Sequence, residues 1–144
     1  MLTKSPLVAW LLIALSAVAP AVTVEFESEG LEAAVREAIG QPSGPIDSSD
    51  LAGLTELDAS NRGIDSLGGV EDLSNLTSLD LSDNEIDDAG PLSVLVQLES
   101  LTLVNNVLSD LGPLSTLVNL TELRFDDNEV RDLGPVATLT ALRT

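Results

Sequence analysis

Residues 76–95 read LTSLDLSDNEIDDAGPLSVL, and the pattern of this stretch returns along the chain with a period of 22 residues. Seven places in the unit are apolar in all four copies. The first of these places holds Leu57, Leu79, Leu101 and Leu123. A unit of this length cannot bury an apolar face alone, whereas a stack of identical turns builds one continuous core. The period therefore predicts stacked turns.

Each unit contains one short piece in which apolar and polar residues alternate, as in a half-buried strand. The pieces are centred on Asp58, Asp80, Thr102 and Arg124. Stacking would pair these strands in parallel. Further along the unit come Pro91, Pro113 and Pro135. Proline is tolerated at the first position of a 3₁₀ or α turn, so we expect each proline to open a short turn on the opposite side.

The quoted stretch carries L-x-x-L-x-L-x-x-N, and on this motif the chain resembles the leucine-rich repeat family. The 22-residue unit with Asp-Leu-Gly-Pro-Leu at residues 110–114 is similar to the internalin-type subclass of bacterial surface proteins, and residues 31–60 resemble the N-terminal cap of that group. The resemblance covers roughly residues 26–144. It implies an α/β solenoid, a right-handed superhelix with a parallel sheet on the concave face, short 3₁₀ turns on the convex face and a helical cap. For function it implies adhesion or partner binding, without a particular receptor.

An asparagine recurs where the chain leaves each predicted strand. The series is Asn84, Asn106 and Asn128, with Arg62 in the first unit. An inward amide can satisfy backbone groups that water does not reach, so we interpret the series as a structural ladder. The alternative is a row of ligand-binding amides, but the repeat already accounts for the spacing.

The first 21 residues have the features of a secretory signal peptide. Lys4 gives a short positive region, residues 7–19 form an uncharged apolar run, and Ala19-Pro20-Ala21 favours cleavage after Ala21. The alternative is an uncleaved anchor. With cleavage, we expect a protein that is secreted, held at the cell surface or periplasmic, and that does not insert into a membrane.

The rest of the chain divides into an N-terminal cap at residues 22–50 and about four repeats at residues 51–144. In the cap, Glu29–Ile39 is predicted to be an amphipathic helix, with Ser28 as N-cap and Gly40 ending it. The next strand leucine would fall at position 145, so we expect a truncated chain without a C-terminal cap. The last turn should then fray or self-associate. Its uncovered apolar residues would be Leu133, Val136, Leu139 and Leu142.

Composition argues against catalysis and against nucleic-acid binding. The 144 residues hold 6 Lys+Arg and 24 Asp+Glu, a net charge of −18, and neither histidine nor cysteine. Phosphate backbones would be repelled. The usual general base, the thiol nucleophile and the common metal ligands are missing, so we expect no enzyme activity, no cofactor and no metal.

Two other patterns resemble functional sites but are better explained by the structure of the repeat. The acidic runs at residues 83–88 and 126–129 suggest calcium, but they lack the glycine and the final glutamate of an EF-hand loop, which favours solvated bends. Asn75-Leu76-Thr77 and Asn119-Leu120-Thr121 match the glycosylation pattern. They share one repeat position, so their recurrence has a structural cause.

Residues that alternate with the strand leucines point away from the core and form the candidate binding face. They stand in three rows: Glu56, Ser78, Ser100 and Glu122; Asp58, Asp80, Thr102 and Arg124; Ser60, Ser82, Val104 and Asp126. A rigid array of this kind suits a protein partner, and its acidity favours a cationic one. Two alternatives stay open, a spacer in a larger surface protein and, third, an enzyme whose domain lies beyond residue 144. The acidity is also typical of salt-adapted organisms.

Overall fold

The computed structural model describes residues 22–143, so the predicted signal peptide and Thr144 lie outside the described residues. The regular elements follow one another as β1 (Thr23–Val24), α1 (Glu29–Ile39), β2 (Ile46–Asp47), β3 (Glu56–Asp58), β4 (Ser78–Asp80), β5 (Ser100–Thr102) and β6 (Glu122–Arg124). Four 3₁₀ helices alternate with the later strands, at Val70–Asp72, Gly90–Val94, Gly112–Thr116 and Gly134–Thr138.

The strands of the repeats form one parallel sheet in the order β3-β4-β5-β6. Its register equals the sequence period, with Leu57 opposite Leu79, Leu79 opposite Leu101 and Leu101 opposite Leu123. The predicted solenoid, with a parallel sheet on one side and 3₁₀ turns on the other, is therefore confirmed.

The core is a stack of leucines between the sheet and the 3₁₀ helices. Leu81, Leu101 and Leu103 on the sheet side and Leu92 and Leu114 on the helix side are all fully buried. Aromatic side chains contribute little, since Phe26 and Phe125 are only partly buried against this core. Aliphatic side chains of nearly equal size suit a stack in which each turn must fit both of its neighbours.

The 3₁₀ helices begin one residue before the prolines, so the expectation that proline opens each turn was wrong by one position. Asp88 Oδ1 accepts a hydrogen bond from the N–H of Gly90 at 2.7 Å, and the same bond recurs at Asp110 (2.7 Å) and Asp132 (2.8 Å). The aspartate two residues upstream satisfies the first free N–H, and the proline follows where no N–H is needed.

The N-terminal helix has the predicted bounds and ends. Ser28 Oγ accepts from the N–H of Leu31 at 3.4 Å, and Gly40 ends the helix with a φ of +69°. Leu31, Ala34 and Val35 are buried beneath it. Ala38, which helical spacing places on the same side as these residues, is exposed, whereas Ile39 is partly buried against the core.

The cap contacts the first repeat through glycines. A side chain on Gly30 would collide with the carbonyl oxygen of Arg62, and one on Gly69 would meet the carbonyl oxygen of Glu25. Gly69 also has a φ of +97°, in the left-handed region. The first repeat thus has glycine where later repeats have proline because the cap segment crosses there, with Glu27 N–H donating to Gly68 C=O at 3.0 Å.

The last described turn is less buried than the others. Leu133 is 55% exposed, and Val136 and Leu142 are half-buried. Leu139 is only 4% exposed and belongs to the common core, so the expectation that it lies uncovered was wrong. None of the helices in residues 22–143 is long and apolar enough to cross a membrane.

Candidate functional site

The twelve residues of the candidate face lie on the outward side of β3–β6 or just beyond each strand, and none of them is buried. Those classed as exposed are Glu56, Asp58, Glu122, Arg124 and Asp126. Those that are half-buried are Ser60, Ser78, Asp80, Ser82, Ser100, Thr102 and Val104. The parallel register sets Asp58 beside Asp80, Asp80 beside Thr102 and Thr102 beside Arg124. The residues of the three rows therefore stand side by side on one surface.

Two aspartates on this face are held by the serines that follow them. Asp58 Oδ1 accepts from Ser60 N–H at 3.0 Å and from Ser60 Oγ at 2.6 Å. Asp80 Oδ1 accepts from Ser82 N–H at 2.9 Å and also from the Ser82 hydroxyl. Each aspartate therefore uses one oxygen locally. The repeated Asp-x-Ser motif is the sequence signal for this arrangement, which the alternation pattern alone does not reveal.

Hydrogen bonding also favours the ionised form of the first of these aspartates. The Ser60 hydroxyl and, next in size, the Ser60 N–H lower the pKa of Asp58 below its ordinary value. Desolvation opposes them with a smaller effect, and the charge of Arg62 adds the smallest lowering contribution. Donors that favour the ionised form keep the carboxylate charged. Such a group suits ion pairing better than proton transfer, because a general acid or base needs a pKa near the working pH.

Charge is unevenly distributed over the face. The first two strands and the residues after them hold Glu56, Asp58 and Asp80 without a basic side chain on the same face. The third strand contributes the uncharged Thr102 and Val104. On β6 the single cation of the face, Arg124, pairs with Glu122 at 2.8 Å between Nη2 and Oε1. Among the twelve residues of the face, those on and just after β3 and β4 therefore carry three acids and no base, whereas those on and just after β6 carry two acids and one base.

The three ladder asparagines link successive turns. Asn84 Nδ2 donates to the carbonyl oxygens of Ala59 and Leu81, both at 2.9 Å, and its Oδ1 accepts from Ile64 N–H at 3.0 Å. Asn106 and Asn128 repeat this arrangement one and two turns later. Asn84 and Asn106 are 8% and 6% exposed. Their polar atoms are used inside the stack, which leaves little for a ligand.

The acidic bends and the asparagines of the glycosylation patterns occupy recurring positions of the repeat. Within residues 22–143, no group of three or more acidic side chains is placed to hold a metal ion. Asn75 Nδ2 donates to Ala52 C=O at 3.0 Å, and Asn119 Nδ2 donates to Val96 C=O at 2.8 Å. Both amides thus join one turn to the turn before it, which is the structural cause of their recurrence.

A second periodic feature escaped the sequence analysis. The residue just before each ladder position has a positive φ, from +53° to +58°. These residues are Asn61, Asp83, Asn105 and Asp127. Asparagine and aspartate tolerate the left-handed conformation better than other residues with a side chain. Only asparagine and aspartate occur at this position of the repeat, and that restriction was the sequence signal for a left-handed residue. The position marks the bend that ends each strand.

Comparisons with known proteins agree with this geometry. A family model described as Leucine Rich repeats (2 copies) matches residues 53–94. No curated protein sequence matches significantly. Among solved structures, an internalin (InlF) of Listeria monocytogenes is 31% identical over 81% of this chain and 35% of its own, with a TM-score of 0.77. The functional domain of InlJ from the same organism, which includes a cysteine ladder, is 31% identical over 81% of this chain and 26% of its own, with a TM-score of 0.75.

A more distant likeness is the plant peptide hormone receptor RGFR1 in complex with RGF2, 27% identical over 62% of this chain and 16% of its own, with a TM-score of 0.54. The chain therefore spans about a third and a quarter of the two internalin structures it matches. Asparagine provides its ladder, and the sequence has no cysteine. The period, the sheet register and these likenesses agree, and the chain is an internalin-like leucine-rich repeat protein.

Proposed function

We propose that this chain is a non-catalytic module that binds another protein through the acidic concave face defined above. The observation that carries the proposal is the row of charged side chains fixed on parallel strands, with Asp58 and Asp80 oriented by their serines. A preorganised surface loses less side-chain entropy on binding than a flexible one. The plant receptor, whose structure holds RGF2, supports a binding role for repeats of this type.

The charge of the face favours a cationic partner. Glu56, Asp58 and Asp80 would raise the rate of encounter with a basic surface and disfavour acidic ones. The face has few of the Trp, Tyr and Arg side chains that usually dominate binding energy, with Arg124 as its single example. We therefore expect recognition that depends strongly on charge and on ionic strength.

The test uses an arginine-rich peptide as the probe, with binding followed by fluorescence anisotropy at low salt. The concave double variant Asp58→Asn with Asp80→Asn should bind about two- to thirtyfold more weakly, the range expected for two exposed charge pairs. The matched control is Asp72→Asn with Asp87→Asn, which removes the same charge from exposed residues away from the sheet. The control should bind the peptide as the unaltered chain does.

Equal weakening by the two double variants would mean that the peptide responds to net charge alone. That result would contradict the concave site. It would favour the second candidate function, a spacer in a larger surface protein with no partner of its own, which the scarcity of aromatic and arginine anchors supports.

We also propose that the chain is exported, so that it acts outside the cytoplasm at the cell surface or in a secreted or periplasmic form. The support is the leader pattern of residues 1–21. Mass spectrometry of exported protein should find an N-terminus at Val22. That form would lack Trp10, the only tryptophan, and would absorb almost nothing at 280 nm because the chain has no tyrosine. Retention of Trp10 in the exported form would contradict the cleavage site.

Finally, we propose that two chains can associate through the last turn. Leu133 is 55% exposed there, and Val136 and Leu142 are half-buried, although their counterparts in earlier turns are buried. Burying an apolar side chain contributes about 1.5–3 kcal/mol, so contact between two such faces is favourable.

A further inference from the structure

We infer that a pocket between α1 and β3 anchors an arginine side chain of the protein partner. The inference rests on the proposed binding through the acidic concave face and names where, and by which side chain, the partner is held. Three observations carry it: a pocket that shares Asp58 with the face, an exposed alanine on the core side of α1, and the charges around the pocket.

The pocket lies where the cap meets the first repeat and has a volume of about 210 Å³. Its lining residues are Ala34, Glu37, Ala38, Asp58 and Arg62. Small-molecule sites usually measure about 300–1,000 Å³, so this pocket suits one side chain of a larger partner better than a whole ligand. Because Asp58 also stands in the second row of the candidate face, a protein that lies on β3 can reach the pocket.

The two alanines form an apolar wall. Ala34 and Ala38 are one helical turn apart and lie on the same side of α1. Ala34 is only 2% exposed, whereas Ala38 is exposed, so the wall runs from the core into the pocket. The methylene stem of a basic side chain can lie along such a surface while its charged end reaches polar groups.

The pocket has two acids and one base. Arg62 Nη2 donates to Glu37 Oε2 at 2.7 Å, so these two charges offset each other and Asp58 carries the remaining negative charge. The hydroxyl and the N–H of Ser60 bond to Asp58 Oδ1 and favour its ionised form. Within residues 22–143, neither Asp58 Oδ2 nor Glu37 Oε1 accepts a hydrogen bond. A cation is the complementary occupant.

Contacts with the cap fix the base of the pocket. Arg62 stands where later units have a ladder asparagine, but its side chain bonds to the cap helix instead. Its N–H donates to Asn84 Oδ1 at 3.0 Å, and its carbonyl oxygen lies against Gly30 of α1. A partner therefore meets a wall that is already ordered, which reduces the entropy lost on binding.

The polar groups favour arginine over lysine. The available acceptors belong to two different residues, Asp58 and Glu37, and the Glu37 side chain is 70% exposed and so accessible. A guanidinium presents five N–H donors in a planar fork, whereas an ammonium is a compact point charge. The guanidinium is also more weakly hydrated, so it loses less water-binding energy beside an apolar wall.

The test compares an arginine-rich peptide with its lysine counterpart of equal length by fluorescence anisotropy at low salt. Ala38→Leu fills the pocket without changing a charge and should weaken binding of the arginine peptide at least about fivefold. The lysine peptide should bind the unaltered chain more weakly and respond little to this variant. The matched control is Ala33→Leu, an exposed alanine of the same helix outside this pocket, which should bind as the unaltered chain does.

A second pair of variants tests the charge of the pocket. Glu37→Gln removes one carboxylate and leaves the charge of Arg62 without its partner, so it should weaken binding of the arginine peptide about two- to fivefold. Glu29→Gln removes the same charge from an exposed position in the first turn of α1 and should have a smaller effect. Urea unfolding of the variants checks that the fold is retained.

The outcomes separate the pocket from the underlying proposal. If Asp58→Asn with Asp80→Asn weakens binding while Ala38→Leu and Glu37→Gln match their controls, the concave face stands and the pocket is overturned. If none of these variants weakens binding more than its control, both are overturned. Equal losses of the arginine and lysine peptides on Ala38→Leu would contradict the assignment to arginine.

Discussion

At the scale of single residues, the fold depends on how each turn satisfies its backbone at the bend after the strand. Asp83 and Asn105 hold the left-handed conformation there, with φ values of +58° and +55°. The following residues, Asn84 and Asn106, insert their amides and bond to two turns at once. Without these side chains, carbonyl and N–H groups at the bend would be buried and unpaired.

The ladder predicts a clear contrast between two neighbouring positions. Asn106→Ala removes the donor to Leu81 and Leu103 and the acceptor for Ile86, and it should destabilise the fold by about 1–3 kcal/mol. Thr102→Ala changes an outward-facing strand residue, for which about ±0.5 kcal/mol is usual. Urea unfolding of both variants measures the difference. Equal midpoints with unchanged slopes would contradict the assignment of inner and outer positions.

At the scale of elements, the cap is the part of the molecule that departs from the period. Helix α1 follows standard end rules, with a serine at its start and a left-handed glycine at its end. Its position over the first repeat depends on close contacts at Gly30 and Gly69 that a side chain would prevent. The antiparallel pairing of β1 with β2, with Thr23 opposite Asp47, ties the two ends of the cap together.

Replacement of a helical glycine tests how closely the cap lies on the repeat. Alanine has a better helix propensity than glycine by about 1 kcal/mol, so Gly30→Ala would stabilise an isolated helix. Here its Cβ would collide with Arg62 C=O, and we expect a net loss of about 1–3 kcal/mol. Thermal or urea unfolding measures this loss of stability. The matched control is Gly53→Ala, which meets nothing within 4 Å and should be neutral or slightly stabilising. A stabilised Gly30→Ala variant would show that the cap helix lies further from the first repeat than the contact between Gly30 and Arg62 implies.

At the scale of the whole molecule, stability is expected to fall from the capped end towards the last turn. In a stacked repeat, each turn is stabilised mainly by its two neighbours. Leu79 and Leu101 lie between turns and are at most 1% exposed, whereas Leu133 in the last turn is 55% exposed. Fewer buried contacts allow local opening at lower free energy.

Amide hydrogen exchange measures this gradient directly. At a concentration where the chain is monomeric, residues 136–143 should exchange at least about tenfold faster than residues 79–81. A chain extended by one further turn and a polar cap should slow exchange in residues 136–143 and raise the unfolding midpoint. Equal protection of the two segments in the unextended chain would mean that the last turn is as well supported as the central ones.

The sequence by itself determined the parts of this protein that repeat. One period of 22 residues along the chain is one step along the stack, so the inward leucines, the outward rows, the ladder and the parallel register could all be derived from spacing. The ends of α1 were also predictable, because capping residues act within one turn of the helix. The residues of the candidate face could also be named from the sequence, because they alternate with the strand leucines in every repeat.

Tertiary structure decided whatever depends on contacts between segments that share no period. Gly30 and Gly69 are needed because the cap lies against the first repeat. Strands β1 and β2 pair through residues that are 22 and 24 positions apart, without a repeating signal. Leu139 is buried in the common core although its turn is the outermost described, whereas Leu133 of the same turn is 55% exposed. Spacing shows which side of a strand or turn a residue occupies. Whether a neighbouring segment lies close enough to cover that side is a question of distance in three dimensions, which only the packed molecule answers.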